Sequence, residues 1–229
     1  MSKKSKIFKN LGNSKNFQSN SIKIKNKRKL AEFIGILLGD GSLCLKDGIV
    51  NTNNRLKITL NKTDDAPYIL YIKNLIKDLL GIEPIVKPRQ YEKNTVDVFI
   101  FNKNIILFLI DEIGLKLSPK WGRAIIPKEF LSRNLGLYVL RGYFDTDGAL
   151  VTTNNNGTIY PRLEMKICPS PMQNQFITLL NQYGFNFGVY KIGKGKVRIQ
   201  LNGKNELKKW IKLVGFSNKK HISKIKRFL

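Results

Sequence analysis

The chain has 229 residues, 42% of them hydrophobic, which is enough for one large domain or two small ones with a buried core. Lys and Arg number 41 against 16 Asp and Glu, a formal net charge of +25. This excess argues against an enzyme of neutral metabolites and favours a polyanionic partner. An AT-rich genome would explain the 82 Lys, Asn and Ile residues, but not the shortage of acids. Nucleic acid is the expected partner, and an anionic membrane surface is the weaker alternative because no run of about eighteen apolar residues exists.

The few cysteines and histidines limit the possible chemistry. Cys44 and Cys168 lie far apart and match no zinc-ligand spacing, and His221 is the sole histidine. A zinc cluster or a nucleophilic triad built on histidine is therefore not expected. Any catalysis should depend on carboxylates, lysines and water.

Residues 1–29 form a basic segment with ten Lys or Arg, no acid and no apolar periodicity. We interpret this segment as a basic N-terminal arm that lies along phosphates. A mitochondrial-type transit peptide is the alternative, although arginine is scarce for one. The rest of the chain still carries a net charge of +15, so the folded part is basic in its own right.

From about residue 30 the sequence repeats once, at an offset of 107 residues that later falls to about 100. The segment FIGILLGDG at residues 33–41 returns as LRGYFDTDG at residues 140–148. Each half predicts an apolar helix that ends at Asp-Gly, two strands, an amphipathic helix, two more strands and a short helix. This αββαββα order indicates an α+β fold with one antiparallel sheet per half. We expect the first half over residues 30–115, a linker over 116–134 and the second half over 135–229.

The repeated helix carries the pattern that is most informative about function. Each copy has two small residues four positions apart: Gly35 and Gly39, then Gly142 and Thr146. Small residues at this spacing let two helices pack closely, which would bring the terminal residues Asp40 and Asp147 together. Two carboxylates at adjacent helix C-termini repel each other and need a cation, and hard oxygen ligands suit Mg²⁺. Such a cation would activate water and stabilise the leaving oxygen of a phosphodiester, whereas either Asp-Gly taken alone could be an ordinary turn.

The two copies resemble the LAGLIDADG motif of homing endonucleases, in the single-chain form that has two motifs. The second copy agrees with the motif at Leu140, Gly142, Asp145, Asp147 and Gly148, and the first at Gly35, Asp40 and Gly41, with Leu38 in place of the first acid. The resemblance covers about residues 30–229. It implies two pseudo-symmetric halves that pair through the motif helices and form a saddle over double-stranded DNA. It also implies that Asp40 and Asp147 bind Mg²⁺ (or Mn²⁺).

The resemblance also implies roles for residues around the two aspartates. Lys120 and Lys220 are the expected basic residues near the metals, with the neighbouring Lys116 and Lys219 as the alternatives, and Asn61 is expected to position water. Cys168 is the repeat partner of Asn61 and is less suited to positioning water. We therefore expect one of the two half-sites to have fewer groups that assist catalysis. The strands should read bases in the major groove with alternate side chains, and the later strands should extend the interface toward its flanks. The expected DNA contacts are Arg55, Lys57, Thr59, Lys87, Arg89, Arg162, Glu164, Lys166, Lys191, Lys194, Lys196 and Arg198.

The leading hypothesis is a site-specific, metal-dependent DNA endonuclease that acts as a monomer on a long asymmetric target. An intron RNA maturase or a non-cleaving DNA-binding protein of the same fold is the alternative. An unrelated basic RNA-binding protein, such as a ribosomal component, would lack the paired Asp-Gly helices. We expect no membrane partner, and a location in an organelle (mitochondrion or chloroplast) with an AT-rich genome or in a prokaryotic cytoplasm.

Overall fold

Two four-stranded antiparallel sheets and the helices that pack on them make up the fold. The structure is a computed structural model that describes residues 22–46 and 53–228. Most of the expected basic arm, residues 1–21, therefore lies outside the described residues. None of the described helices is long and apolar enough to cross a membrane.

The two halves have the same order of elements. The first half contains α1 (Lys27–Gly39), β1 (Gly41–Cys44), β2 (Arg55–Asn61), α2 (Ala66–Leu80), β3 (Ile85–Pro88), β4 (Thr95–Ile100) and α3 (Lys103–Leu107), which continues into a π-helical turn at Phe108–Glu112. The second half contains α4 (Gly136–Asp147), β5 (Gly148–Asn155), β6 (Thr158–Ile167), α5 (Met172–Gln182), β7 (Gly188–Lys191), β8 (Val197–Asn202), α6 (Gly203–Leu213) and α7 (Lys219–Ile225). The predicted α+β fold and its αββαββα order are confirmed, and α7 is an element that the sequence did not predict.

The strand pairing confirms the internal repeat. The strand orders are β1-β2-β4-β3 and β5-β6-β8-β7, with all neighbours antiparallel. Ile58 lies opposite Val98 in the first sheet, and Met165 lies opposite Ile199 in the second. The offset is thus 107 residues between β2 and β6 and 101 residues between β4 and β8.

Helix α1 begins earlier than expected. The side chain of Asn26 accepts hydrogen bonds from the backbone N–H groups of Arg28 (3.1 Å) and Lys29 (3.0 Å) and so starts the helix at Lys27. The boundary that we expected at residue 29, between arm and first half, therefore falls inside α1. Helix α2 ends at Gly81, whose φ of 67° is left-handed and suits a residue without a Cβ.

Helices α1 and α4 pack backbone against backbone and join the two halves. A Cβ on Gly35 would overlap the carbonyl oxygen of Val139, and a Cβ on Gly142 would overlap that of Glu32. Only glycine leaves room for this approach, which confirms the predicted contact of the two motif helices.

A buried polar cluster lies beside this helix pair. Glu32 of α1, which is 1% exposed, forms an ion pair with Arg141 of α4 at 2.5 Å. The same carboxylate accepts hydrogen bonds from the hydroxyls of Tyr71 at 2.7 Å and Ser217 at 2.6 Å. Because loss of one partner would leave a buried charge unpaired, this cluster fixes how the halves sit against each other.

Candidate active site and nucleic-acid interface

The two motif aspartates meet at the paired C-terminal ends of α1 and α4. Asp40 follows the last turn of α1, and Asp147 is the last residue of α4. Burial, and after it the charge of Asp147, raises the pKa of Asp40 to about 7. Burial also raises the pKa of Asp147. Ionisation of both carboxyl groups at once is therefore unfavourable in the protein alone. A bound cation would favour the doubly ionised form.

Two lysines oppose this effect. The charges of Lys120 and Lys220 each lower the pKa of both aspartates. Lys120 comes from the linker, and its ammonium donates hydrogen bonds to the carbonyl oxygens of Leu38 (2.9 Å) and Gly39 in the last turn of α1. These carbonyl groups form the negative end of the helix dipole, so a buried cation is well placed there. The structure thus brings both aspartates and both lysines together, and their catalytic roles stay predictions.

Lys220 is held by residues that the sequence analysis did not select. Its ammonium lies 2.8 Å from a carboxylate oxygen of Asp65, which is 4% exposed and precedes α2. The side-chain amide of Asn218 donates to the same oxygen at 2.8 Å. The one feature of the sequence that could have pointed to Asp65 is its position before an amphipathic helix. An acid at that position ordinarily indicates a helix cap.

Asn61 lies at the end of β2, close to the first motif aspartate. The backbone N–H of Thr59 donates to the carbonyl oxygen of Asp40 at 3.3 Å and so places this end of β2 beside α1. The side-chain oxygen of Asn61 accepts hydrogen bonds from the backbone N–H groups of Thr63 and Asp64, both at 2.9 Å. This oxygen belongs to a local turn, so the expected role in positioning water stays a prediction for the amide nitrogen alone.

Cys168 lies at the matched position in the second half. Burial lowers the pKa of Lys120, and the neighbouring Asp147, Asp40 and, least of the three, Cys168 oppose this, which places the thiol near that lysine. The sulfur is 3.8 Å from the hydroxyl of Ser170. A thiol therefore stands on one side of the site where an amide stands on the other.

The open faces of the two sheets carry most of the expected DNA contacts. Alternate residues of β2 and β6 are buried, as a strand with one covered face requires. The side chains on the open faces of these two strands are Arg55, Lys57, Thr59, Arg162, Glu164 and Lys166. Lys87 shares the first face because it lies opposite Asp97, and Arg198 shares the second because it lies opposite Lys166.

Lys191 and Lys194 do not lie on the open face beside Arg198. Lys191 is opposite Val197, one position away from the pair of Tyr190 with Arg198. Successive side chains of a strand point to opposite faces, so Lys191 does not share the side of Arg198, but it is exposed on the edge strand and its contact with DNA stays a prediction. Lys194 lies in the turn between β7 and β8, with a φ of 48°.

Lys196 directly precedes β8 on the side of the second motif aspartate, and its contact with DNA stays a prediction. Its charge lowers the pKa of Asp147. Its ammonium also lies over the ring of Trp121, 5.4 Å from the ring centroid. The register of β8 against β6 brings it there, because Val197 lies opposite Ile167 at the end of β6 nearest the motif helix.

Arg89 crosses the open face of the first sheet and is held there by acids. Its guanidinium donates to Asp97 through Nε at 2.8 Å and Nη2 at 3.1 Å, and to Glu92 through Nη1 at 2.8 Å. Nη2 also donates to the hydroxyl of Thr59 at 3.1 Å. Burial opposes ionisation of Asp97, but hydrogen bonds from Arg89 and Thr59 outweigh it and lower the pKa of this carboxyl.

The donor set at the motif helices suits a metal that shares its shell with water and phosphate. No group of three or more His, Cys, Asp and Glu side chains within residues 22–46 and 53–228 could hold a metal. One carboxylate from each half is what the protein offers, and Mg²⁺ is commonly bound by one or two carboxylates together with substrate phosphates. The raised pKa of both carboxyl groups fits the same cation.

Comparison with known proteins identifies the family. The model of the LAGLIDADG DNA endonuclease family matches residues 31–208. The chain belongs to this family. The resemblance of the two Asp-Gly helices to the LAGLIDADG motif is therefore confirmed, together with the paired-helix fold.

Solved homing endonucleases share the fold of this LAGLIDADG protein. I-WcaI bound to its DNA recognition sequence is 18% identical, with 89% of this chain and 90% of that chain covered and a TM-score of 0.59. The meganuclease I-SmaMI bound to uncleaveable DNA is 10% identical, with 86% of each chain covered and a TM-score of 0.58. I-DmoI in complex with DNA and Mn is 14% identical, with 83% and 98% covered and a TM-score of 0.55.

One curated protein also has a low but detectable sequence identity to this chain. The replication factor C small subunit of Methanocaldococcus jannaschii is 22% identical over 205 residues, which cover 86% of this chain. The match spans 10% of that protein, so the chain corresponds to about a tenth of its length.

Proposed function

We propose that this LAGLIDADG protein is a site-specific endonuclease that acts as a monomer. It would hydrolyse both strands of a long, asymmetric DNA duplex with the help of divalent cations. The observation that carries the proposal is the meeting of two buried carboxylates, Asp40 and Asp147, at the junction of two sheets with basic open faces. I-DmoI, which has the same fold, is known in complex with DNA and Mn, and this supports a divalent cation and a DNA partner.

Asp40 and Asp147 are the residues that would hold the cations, one from each half. When bound, Mg²⁺ or Mn²⁺ would neutralise negative charge on the scissile phosphate and would lower the pKa of water, so that a hydroxide nucleophile is available near neutral pH. The protein lowers the cost of bringing the two carboxylates together, because Lys120 and Lys220 each lower the pKa of both. The same ammonium groups would stabilise the negative charge that develops on the phosphate.

The sheets would orient the duplex over the two carboxylates. Side chains at alternate positions of β2 and β6 face the open side of each sheet, where arginines can donate to guanine and carboxylates can accept from cytosine. Contacts to phosphate would set the register, and contacts to base edges would choose the sequence.

Selection of a cleaved sequence from a library tests this function. The protein is incubated with plasmids that carry randomised inserts, in Mg²⁺ and in Mn²⁺, and the cut ends are sequenced. We expect one family of related inserts, cut on both strands at one position. Binding to a duplex without any cut in either metal would identify a non-cleaving DNA-binding protein instead.

A further inference from the structure

The carboxylate of Asp65 does not cap the helix that it precedes. Asp65 stands directly before α2, where an acid usually accepts hydrogen bonds from the first N–H groups of a helix. Its side chain makes no such bond, and Pro67 near the start of α2 has no N–H to offer. The residue is nevertheless only 4% exposed, so its carboxylate needs other partners within the protein.

Both oxygens of this carboxylate bind groups outside α2. One oxygen lies 2.8 Å from the ammonium of Lys220 and accepts a hydrogen bond from the side-chain amide of Asn218, also at 2.8 Å. The other accepts the backbone N–H of Asn61 at 3.1 Å, which fixes the carboxylate against the end of β2. Asn218 caps α7 and Lys220 belongs to it, so an acid of the first half holds a lysine from the end of the second half.

This ion pair lies on the side of the site where Asp40 stands. The end of β2 runs beside the end of α1, because the backbone N–H of Thr59 donates to the carbonyl oxygen of Asp40 at 3.3 Å. Asn61, whose N–H binds Asp65, is the last residue of β2. The ammonium of Lys220 is therefore held on the side of Asp40.

The second half has no acid at the equivalent position. The offset of 107 residues that matches β2 to β6 places Met172 where the first half has Asp65, and Met172 is fully buried. Lys120 donates instead to the carbonyl oxygens of Leu38 and Gly39 and forms no ion pair with an acid within residues 22–46 and 53–228. One active-site lysine is thus held by a carboxylate and the other by the end of a helix.

We propose that Asp65 is a positioning residue that holds Lys220 for cleavage of the DNA strand cut beside Asp40. The inference rests on the proposed function. A lysine side chain has many rotamers, and a fixed carboxylate limits its ammonium to one place before DNA binds. The strand cut beside Asp147 does not depend on Asp65, because that side of the site lacks the ion pair.

Cleavage rates measured separately for the two strands test this assignment. The two strands of the selected target carry different fluorophores, and single-turnover rates in Mg²⁺ are read from a denaturing gel with protein in excess. We expect Asp65→Asn to slow one strand by about tenfold or more and the other by less than about threefold. Lys220→Gln should slow the same strand more than the other. Equal slowing of both strands by Asp65→Asn, or opposite strands in the two variants, would overturn the inference.

A double variant tests whether Asp65 acts through Lys220. If the carboxylate matters because it holds the ammonium, Asp65→Asn/Lys220→Gln should cut this strand no more slowly than Lys220→Gln alone. Losses that multiply in the double variant would show that Asp65 acts by another route and would overturn the inference.

The comparison of strands also separates positioning from a loss of stability. An unfolded molecule cuts neither strand, so the ratio of the two rates does not depend on the folded fraction. Glu32→Gln is the matched control, since it removes the charge of another buried acid that pairs across the halves, with Arg141. We expect this control to affect both strands alike. The same strand bias in Glu32→Gln would overturn the inference.

A milder variant covers the case in which Asp65→Asn does not fold. Asn218→Ser keeps a capping side chain for α7 but removes the amide that donates to Asp65, and it should slow the same strand as Lys220→Gln. Unchanged rates for both strands in Asn218→Ser would then overturn the inference. A wild-type protein that cuts neither strand would refute the proposed function, whereas an active nuclease without strand bias in these variants would refute the positioning role alone.

Discussion

Three aspartates lie near the end of the motif helices, and their surroundings assign them different roles. Asp40 and Asp147 stand at the helix ends beside Lys120 and Lys220. Asp145 is fully buried instead, and its Oδ2 accepts the backbone N–H groups of Ser217 (2.7 Å) and Asn218 (3.1 Å). It therefore fixes the segment that leads into α7.

Replacement of either motif-end aspartate should abolish cleavage and spare binding. Asp40→Asn or Asp147→Asn keeps the shape of the side chain but removes the charge that holds the cation, so the cleavage rate should fall by orders of magnitude. Binding in Ca²⁺ should persist, because we expect the cations of the sheets, and not the two aspartates, to contact the phosphates. Plasmid cleavage and gel-shift assays measure the two effects. We expect Asp147→Asn to leave nicked plasmid at most.

Asp145→Asn is the control for this experiment. Burial raises the pKa of Asp145 to about 8, so the group is largely neutral near pH 7, and the amide has nearly the same shape. Activity should fall far less than in the other two variants. Full linearisation by both Asp40→Asn and Asp147→Asn, each tested alone, would show that the carboxylate pair does not carry out the reaction.

The raised pKa of Asp40 predicts how pH and cations act on stability. Its folded value of about 7 lies above the ordinary 3.8, so the folded state favours the neutral form. The contribution of protonated Asp40 to the free energy of unfolding is fully present below pH about 4. It is lost as the pH rises through about 7. A divalent cation should offset this loss, and Ca²⁺ should raise the melting temperature more at about pH 8 than at about pH 5.5. Calorimetry measures the change in melting temperature on addition of Ca²⁺. An equal change at both pH values would contradict this account. So would an Asp40→Asn variant in which the change differs between the two pH values as much as in the wild type.

The glycines of α1 and α4 decide how closely the two helices approach. Gly35→Ala should lower the free energy of unfolding by about 1–3 kcal/mol and should abolish cleavage, because the new methyl group overlaps the backbone of α4 and moves the two carboxylates apart. Denaturant unfolding and plasmid cleavage measure both effects. Gly81→Ala at the end of α2 is the matched control. An alanine with a φ of 67° is strained and lowers stability, but its methyl group meets no neighbouring atom. This control should stay active; loss of activity in both variants would show that stability, and not helix approach, is responsible.

The arginines on β2 and β6 offer a test of base recognition. Arg55→Ala or Arg162→Ala should relax the preference at one base pair in one half-site, by about 1–3 kcal/mol if the contact to guanine is bidentate. Competition binding with single-base variants of the selected target measures the change. An equal loss on all sequences would indicate a phosphate contact instead.

The repeat predicted more of the fold than of the site. Two copies of one pattern were enough to predict the helix pair and the alternating faces of β2 and β6, because these depend on local periodicity. Asp65 and Asn218 could not be found in this way, and Lys196 was found without its place beside Asp147, since long-range packing and strand register position all three. Helix α7 is short, and its buried His221 packs against aromatic rings through contacts that no apolar periodicity indicates.

The electrostatics of the whole molecule can be tested by shortening the chain. Because α1 begins at Lys27, a deletion of residues 1–21 keeps the whole sequence of the helix and its Asn26 cap. The deletion removes five lysines, so the slope of log affinity against log salt should become shallower by up to about 4.5. The preferred sequence should stay the same. A changed preference with an unaltered slope would show that this segment reads bases.

The site draws one carboxylate from each half, one lysine from the linker and another from beyond the last strand of the second sheet. A polypeptide still emerging from the ribosome, with only its first half folded, holds Asp40 without Asp147 or Lys220. The same is true of a fragment left by a premature stop codon or by proteolysis between the halves. If these four groups carry out cleavage as we propose, the protein can cut only when its second half has folded, and we expect its incomplete products to leave DNA intact.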